Sequence, residues 1–353
     1  MTISEIAKLA NVSIGTVDRV LHNRGRVAPE TIVKVKKIVE DNGYQPNTFA
    51  RNLKLSKTFE IGVLLPLLHS EYGYWNLIYE GVLKAAKELA PLSVTIRVEE
   101  FDRSNPISFL EKGELLMKGG SDAILMAPVI PDAARALLSK YLGLDYVFID
   151  SPLPETHPVS SVVQDPFRGG FMAGRMMHLL SPHEGTYITV QTHTTAYNSL
   201  ERARGFNSYF ADKESYHMVE LEMQMNNEGE NFIERAYQHY TDIRGIFVVN
   251  DAVHRIANFV SLLGRKGQTI LIGYDLIEQN RKAVLNGKVD CLLSQRPDFQ
   301  GYTAVYQLYR KGMLNQVPET NICVPIDIVL PENLMDEKTF CGMGSSQAMG
   351  KRG

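Results

Sequence analysis

Two polar residues stand where packing gives little reason for them. Asn250 ends the apolar run Gly245-Ile246-Phe247-Val248-Val249, and Asp275 follows Ile270-Leu271-Ile272-Gly273-Tyr274. Asp150 and Ser151 close a third run, Tyr146-Val147-Phe148-Ile149. Amides and carboxylates at the ends of apolar strands offer donors and acceptors suited to vicinal hydroxyls. Tyr74 and Trp75 read as part of the loop after the first strand, and Trp75 is the only tryptophan. An exposed aromatic there would pack on sugar C–H faces, with a core anchor as the alternative. Asp150 and Asp275 could also form a glycosidase pair, but no general acid is evident and a binding cleft explains them more simply.

The rest of the catalytic inventory is thin. Leu65-Pro66-Leu67-Leu68 stands where a phosphate loop would follow the first strand. The nine histidines show no HxH or HExxH spacing, and no serine sits in a nucleophile elbow. Cys291, Cys323 and Cys341 are widely spaced and odd in number, giving neither a metal site nor a disulfide framework. The expectation is a protein that is not an enzyme and has no cofactor and no metal.

These residues need a frame to position them. From Phe59 onward, strand-like runs at 61–65, 94–98, 123–126, 146–149, 187–190, 245–249 and 270–272 alternate with helical stretches. Among the latter are Leu77 to Leu89, Phe167 to Leu180, Ala252 to Leu263 and Gln300 to Lys311. Buried parallel strands with crossover helices predict an α/β, doubly wound body, with ligand at the carboxyl ends of the strands. No run is long and apolar enough to span a bilayer. The start Met1-Thr2-Ile3 lacks a basic-then-apolar leader, so a cytoplasmic location is expected. The tail 342–353 reads as disordered.

The first 57 residues have a different character. Thr2-Ile3-Ser4-Glu5 is a capping-box pattern, followed by Ile6, Leu9 and Ala10 on one predicted helix face. Ser13 caps a second helix, about Ile14 to Leu21, that turns Val17, Val20 and Leu21 inward. Its outer face carries Ile14, Gly15, Thr16, Asp18 and Arg19. A third helix, with Pro29 in its first turn and Gly43 past its end, brings Ile32, Val35, Ile38 and Val39. Two short helices on a tight turn plus a third make a helix-turn-helix. Residues 1–58 carry ten Lys and Arg against five Asp and Glu, while the remainder carries 27 against 35. A basic head on an acidic body suits a head that alone touches phosphate.

The run Ile3 to Leu21 and the segment Gly43-Tyr44-Gln45-Pro46-Asn47-Thr48-Phe49-Ala50-Arg51-Asn52-Leu53 resemble the LacI/GalR family of bacterial transcription regulators. The resemblance implies that Ile14, Gly15 and Thr16 read base edges, with Arg19 on bases or phosphates and Ser13 holding phosphate. Asp18 departs from the family's usual Ser. Arg24, Asn47, Arg51 and Lys54 join the implied DNA-binding set. Leu53 corresponds to the family leucine that wedges into the minor groove from a hinge helix.

The body resembles the type I periplasmic sugar-binding proteins, through Gly169-Gly170, Ala173-Gly174, Glu201 to Phe206, Val249-Asn250-Asp251, Gly273-Tyr274-Asp275 and Ser294-Gln295. That implies two lobes around a cleft, with Arg202 on ligand oxygens and Gln295 at a lobe crossing. Ser151 stands where some relatives carry Arg. Asp165 is a weaker candidate, since an N-cap role explains it equally well.

The expected organisation is a helix-turn-helix domain at 1–45, a hinge helix at 46–58 and a ligand-binding domain at 59–341. Its first lobe would be about 59–160 and 295–323, and its second about 163–293 and 326–341. The resemblance implies a homodimeric, cytoplasmic repressor on double-stranded operator DNA, nucleoid-associated when bound. Its effector would be a sugar, sugar derivative or polyol. A solute-binding transport protein or a sugar-processing enzyme are the alternatives.

Overall fold

The computed structural model describes residues 3–21, 25, 27–42, 58–68, 73–192, 195–223 and 231–335. The chain divides into two compact units, Met1–Lys57 and Thr58–Gly353.

The first unit holds α1 (Ile3–Ala10), α2 (Ile14–Leu21) and α3 (Pro29–Asp41). Asn11 takes the left-handed conformation at φ 54°, which its short polar side chain tolerates, and turns the chain after α1. Ser13 caps α2: its Oγ accepts from the Thr16 amide at 3.1 Å, and its carbonyl accepts the Thr16 and Val17 amides. Ile6, Ala7, Ala10, Val17, Val20 and Val35 form the core, with Leu21, Ile32, Ile38 and Val39 against it. Leu9 corrects the sequence reading. It is 56 % exposed, because the small Ala7 and Ala10 let α1 approach its neighbours and rotate Leu9 outward. The Asn42 side chain donates to the Ile38 carbonyl at 2.8 Å at the end of α3. Thr2, Arg24, Gly43, the expected hinge with Asn47, Arg51, Leu53 and Lys54, and the tail with Cys341 lie outside the described residues.

The second unit contains two six-stranded sheets. In the first, β1 (Phe59–Pro66), β2 (Val94–Phe101), β3 (Ala123–Met126), β4 (Asp145–Asp150), β5 (Ser160–Val163) and β11 (Asn321–Cys323) lie in the order β11-β5-β4-β3-β1-β2, all parallel. The helices α4 (Tyr74–Leu89), α5 (Pro106–Lys118), α6 (Pro131–Lys140) and α12 (Pro297–Gly312) cover it. The second sheet contains β6 (Gly185–Gln191), β7 (Tyr216–Glu222), β8 (Ile243–Val248), β9 (Ile270–Tyr274), β10 (Cys291–Ser294) and β12 (Asp327–Val329). Their order is β12-β10-β9-β8-β6-β7, and only β12 runs antiparallel to its neighbour. Its helices are α7 (Pro166–Leu180), α8 (Tyr197–Phe210), α9 (Asn231–His239), α10 (Val253–Leu262) and α11 (Glu278–Leu285), followed by the short α13 (Pro331–Leu334).

The chain passes between the sheets after β5, after β10 and between β11 and β12. Fully apolar strand interiors such as Ile61, Val63, Leu64, Leu125, Val147, Ile246 and Leu271 explain why both sheets are buried on two faces. The helix α7 crosses α8 closely, since a Cβ on Gly170 would collide with the Arg202 carbonyl. Gly169 is held to glycine in the same way by the Tyr274 hydroxyl. Among the described residues no helix is long and apolar enough to cross a membrane.

Candidate functional site

The carboxyl ends of β4 and β9 face one another across the two lobes. Asp150 and Asp275 both take left-handed backbone, at φ 69° and 65°, and both are buried. Non-glycine residues in this region carry strain and cluster at functional sites. A chain of hydrogen bonds through the second crossing joins them. The Asp150 amide donates to Gln300 Oε1 at 2.9 Å, Gln300 Nε2 donates to the Gln295 carbonyl at 2.9 Å, and Gln295 Nε2 donates to Asp275 Oδ1 at 2.9 Å. Asn280, fully buried, donates to the Tyr274 and Asp275 carbonyls at 3.0 and 2.9 Å and so fixes the turn that presents Asp275.

Arg202, 4 % exposed, reaches this cluster from the middle of α8. Its Nη1 donates to the Val249 carbonyl at 2.9 Å, and its guanidinium lies 3.6 Å from the centroid of the Tyr274 ring. The Tyr274 hydroxyl donates to Gln164 Oε1 at 2.7 Å, and Gln164 Nε2 donates to the Ser294 carbonyl at 3.2 Å. Gln164 thereby ties the first crossing to the second. Asn198 of α8 donates to the Asp150 carbonyl at 3.1 Å, a direct bond between the lobes.

The electrostatics follow from burial. Desolvation pushes the Asp275 carboxyl up to about 7; the charges of Asp251 and Asp150 add to the rise, against Arg202 and the Gln295 amide. Burial also raises Asp150, opposed by Arg202, Arg103 and the hydroxyls of Tyr74 and Ser151. The Tyr74 phenol is held well above its ordinary value by burial and by the two carboxylates. Burial works against the Arg202 charge, but the surrounding Tyr274, Asp275, Asp150 and Tyr74 outweigh it and raise its pKa. Four buried polar atoms here make no well-directed hydrogen bond within the protein: Tyr74 Oη, Asn198 Oδ1, Arg202 Nε and Gln295 Oε1. Such orphans are costly and need partners.

In the head, Ile14 and Arg19 are exposed on α2 beside the exposed Gly15, and Thr16 is half-buried. The Thr16 hydroxyl meets Ser13 Oγ at 2.9 Å. The start of this helix therefore presents a short, weakly charged face flanked by one arginine.

Comparison with known proteins covers both units. Residues 2–47 match the pattern of the bacterial regulatory proteins of the lacI family, and residues 61–313 match the periplasmic binding protein domain. The body therefore belongs to the periplasmic binding protein domain family, and the first residues carry a lacI-family regulatory domain. The HTH-type transcriptional repressor PurR of Klebsiella pneumoniae is 29 % identical over 181 residues, half of each chain, and PurR of Escherichia coli O1:K1 / APEC gives the same figures. The chain spans about half the length of the curated relatives it matches. Among solved structures, a Bacteroides fragilis protein assigned to the LacI transcriptional regulators aligns with a TM-score of 0.73 at 23 % identity, over 79 % of this chain and 99 % of that one. GanP, a glucose-galactose binding protein from Geobacillus stearothermophilus, aligns at 0.68 and 19 % identity, over 79 % and 99 %. At these identities the structural likenesses concern the fold.

Within this periplasmic-binding-protein body, the residues singled out from sequence fall into groups. Asp275, Gln295, Arg202 and Tyr74 converge with Asp150, and Ser151 is buried beside it. Tyr74 and Trp75 do not lie in a loop. They open α4, where the Asn76 side chain accepts the Gly73 amide at 3.1 Å, and both join the core of the first lobe. Trp75 offers no exposed platform; its ring is covered by Arg103 at 5.7 Å. Arg202 sits in the middle of α8, which begins at Tyr197.

Two other candidates have their polar atoms committed. Asp165 caps α7, accepting the Arg168 amide at 2.9 Å. Asn250 donates to the Thr192 hydroxyl and accepts the Ala252 amide. Gln164, Asn198, Asn280 and Gln300 were not singled out by sequence. Only Gln164, a polar residue directly after Ser160-Ser161-Val162-Val163, left a trace of the same kind as Asn250.

Proposed function

We propose that the chain is a ligand-responsive, DNA-binding transcription repressor. One observation carries the reading: a Ser13-capped helix with an exposed Ile14, Gly15 and Arg19 is joined in one chain to a body whose lobes meet on the Asp150–Arg202–Asp275 cluster. The head would read a half-site in the major groove through Ile14, Gly15, Thr16 and Arg19, with Ser13 and the first α2 amides on phosphate. Two chains would bind a near-palindromic operator, with the segment containing Asn47, Arg51, Leu53 and Lys54 in its central minor groove. A small hydroxyl-rich effector, a sugar, sugar derivative or polyol, would be gripped by Tyr74, Asp150, Ser151, Arg202, Asp275 and Gln295. The protein would act in the bacterial cytoplasm. PurR supports the repressor reading as a relative, and carries none of the effector assignment.

Selection of bound duplexes from a random DNA pool tests this. The expected result is enrichment of an inverted repeat whose binding weakens steeply with salt, as phosphate contacts require. Loss of enrichment in Arg19→Ala would tie the signal to α2. Recovery of unenriched sequence, or no retention of DNA at low salt, would contradict the reading.

A further inference from the structure

The cleft cluster is unbalanced in a way that selects its ligand. Each lobe contributes one buried carboxylate, Asp150 from the end of β4 and Asp275 from the end of β9. One buried cation, Arg202, interacts with both. Its guanidinium is already stacked on Tyr274 and bonded to the Val249 carbonyl, which leaves Nε as its buried unpartnered donor. Arg103 acts on Asp150 too, but it is half-buried and lies over Trp75.

Acceptors outnumber donors among the remaining groups. Gln295 Oε1 and Asn198 Oδ1 accept, Arg202 Nε donates, and Tyr74 Oη does either; the carboxylates, bonded to Gln295 and to the Tyr74 and Ser151 hydroxyls, keep further lone pairs as acceptors. Such a set is completed by a molecule rich in O–H donors. It is not completed by one bringing further acceptor oxygens and a negative charge. An anion closed between the lobes would meet two carboxylates whose charge one buried arginine already serves, and uncompensated buried charge is strongly destabilising.

We infer that the cleft selects an uncharged, hydroxyl-rich ligand and rejects its carboxylate and phosphate-ester relatives, with Asp150 and Asp275 as the residues that set this preference. The inference rests on the reading of the cleft as an effector site.

The test is calorimetric titration of the full chain at pH 7.5 with matched probes: glucose, galactose, arabinose and myo-inositol against glucuronate, galacturonate, arabinonate and inositol 1-phosphate. At least one neutral probe should bind, and about a hundredfold or more tighter than its anionic partner. In Asp150→Asn and Asp275→Asn, checked for folding by thermal melting, that ratio should fall about tenfold or more. A wild-type chain that binds an anionic probe as tightly as its neutral partner, or tighter, would overturn the selection while leaving the effector site standing. An unchanged ratio in both folded variants would remove Asp150 and Asp275 from the role. Binding of no probe from either set would overturn the saccharide reading of the cleft and this inference together.

Discussion

Asp150 and Asp275 occupy equivalent places in the two lobes, yet they are held differently. Each ends a buried strand, each has left-handed backbone, and each is raised in pKa by burial. The Asp275 carboxylate accepts a side-chain amide from Gln295 at the second crossing. The Asp150 carboxylate receives hydroxyls of Tyr74 and Ser151 and the charges of Arg202 and Arg103, but no side-chain amide, and the crossing reaches its backbone amide through Gln300. A change at Gln295 therefore acts directly on the charged atoms of one lobe and only on the backbone of the other. On the proposed function, the second lobe would carry the pre-set half of the cleft and the first lobe the half completed by ligand.

Several changes would break or sharpen that contrast. The largest effect is expected for Gly170→Val, because the added side chain enters the Arg202 backbone where α7 crosses α8. A loss of about 3 kcal/mol or more in chemical denaturation is expected, and a wild-type midpoint would show that the crossing can relax. Arg202→Ala leaves two buried carboxylates without their buried cation and should cost about 3 kcal/mol at pH 8, with a smaller loss at pH 5, where the Asp275 carboxyl is protonated. Equal losses at the two pH values would mean that the arginine works through packing alone.

The pH dependence of the wild type isolates Asp275. Its folded-state pKa, about 7, lies above the unfolded value, so the folded chain binds more protons between pH 4 and 7. Stability contributed by this group is present at low pH and is lost as pH rises through about 7. The groups facing it are Asp150, Asp251, Arg202, Tyr74 and Tyr274. Asp275→Asn should flatten the fall in melting temperature between pH 5 and 8, and Asp150→Asn should flatten it less. The reverse order would place the stronger coupling in the first lobe. The smallest effect is expected for Ser13→Ala, about 1 kcal/mol on the melting of the first unit, with the second unit unchanged.

Much of this architecture is legible in the chain, for physical reasons that vary by element. Continuous apolar runs such as Gly245 to Val249 mark strands buried on both faces. The edge strand β7, Tyr216–Glu222, alternates half-buried and exposed positions and left no such run. Asp275 and Asn250 stood out because a polar residue ends an apolar strand. Gln164 and Gln300 did not, since a glutamine in a crossing or helix looks like surface until the tertiary fold buries it to 2 % and 0 % exposure. Trp75 misled for the opposite reason: α4 starts earlier than its apolar periodicity shows, which draws the ring into the core.

On the proposed function, ligand in the cleft changes the grip of the head on DNA. Fluorescence anisotropy on an enriched duplex, with and without a neutral saccharide that binds by calorimetry, tests it most directly. A shift in DNA affinity of about tenfold or more is expected, corresponding to about 1.4 kcal/mol of coupling, and it should be lost in a folded Arg202→Ala chain. Identical DNA affinity with the cleft saturated and empty would contradict it.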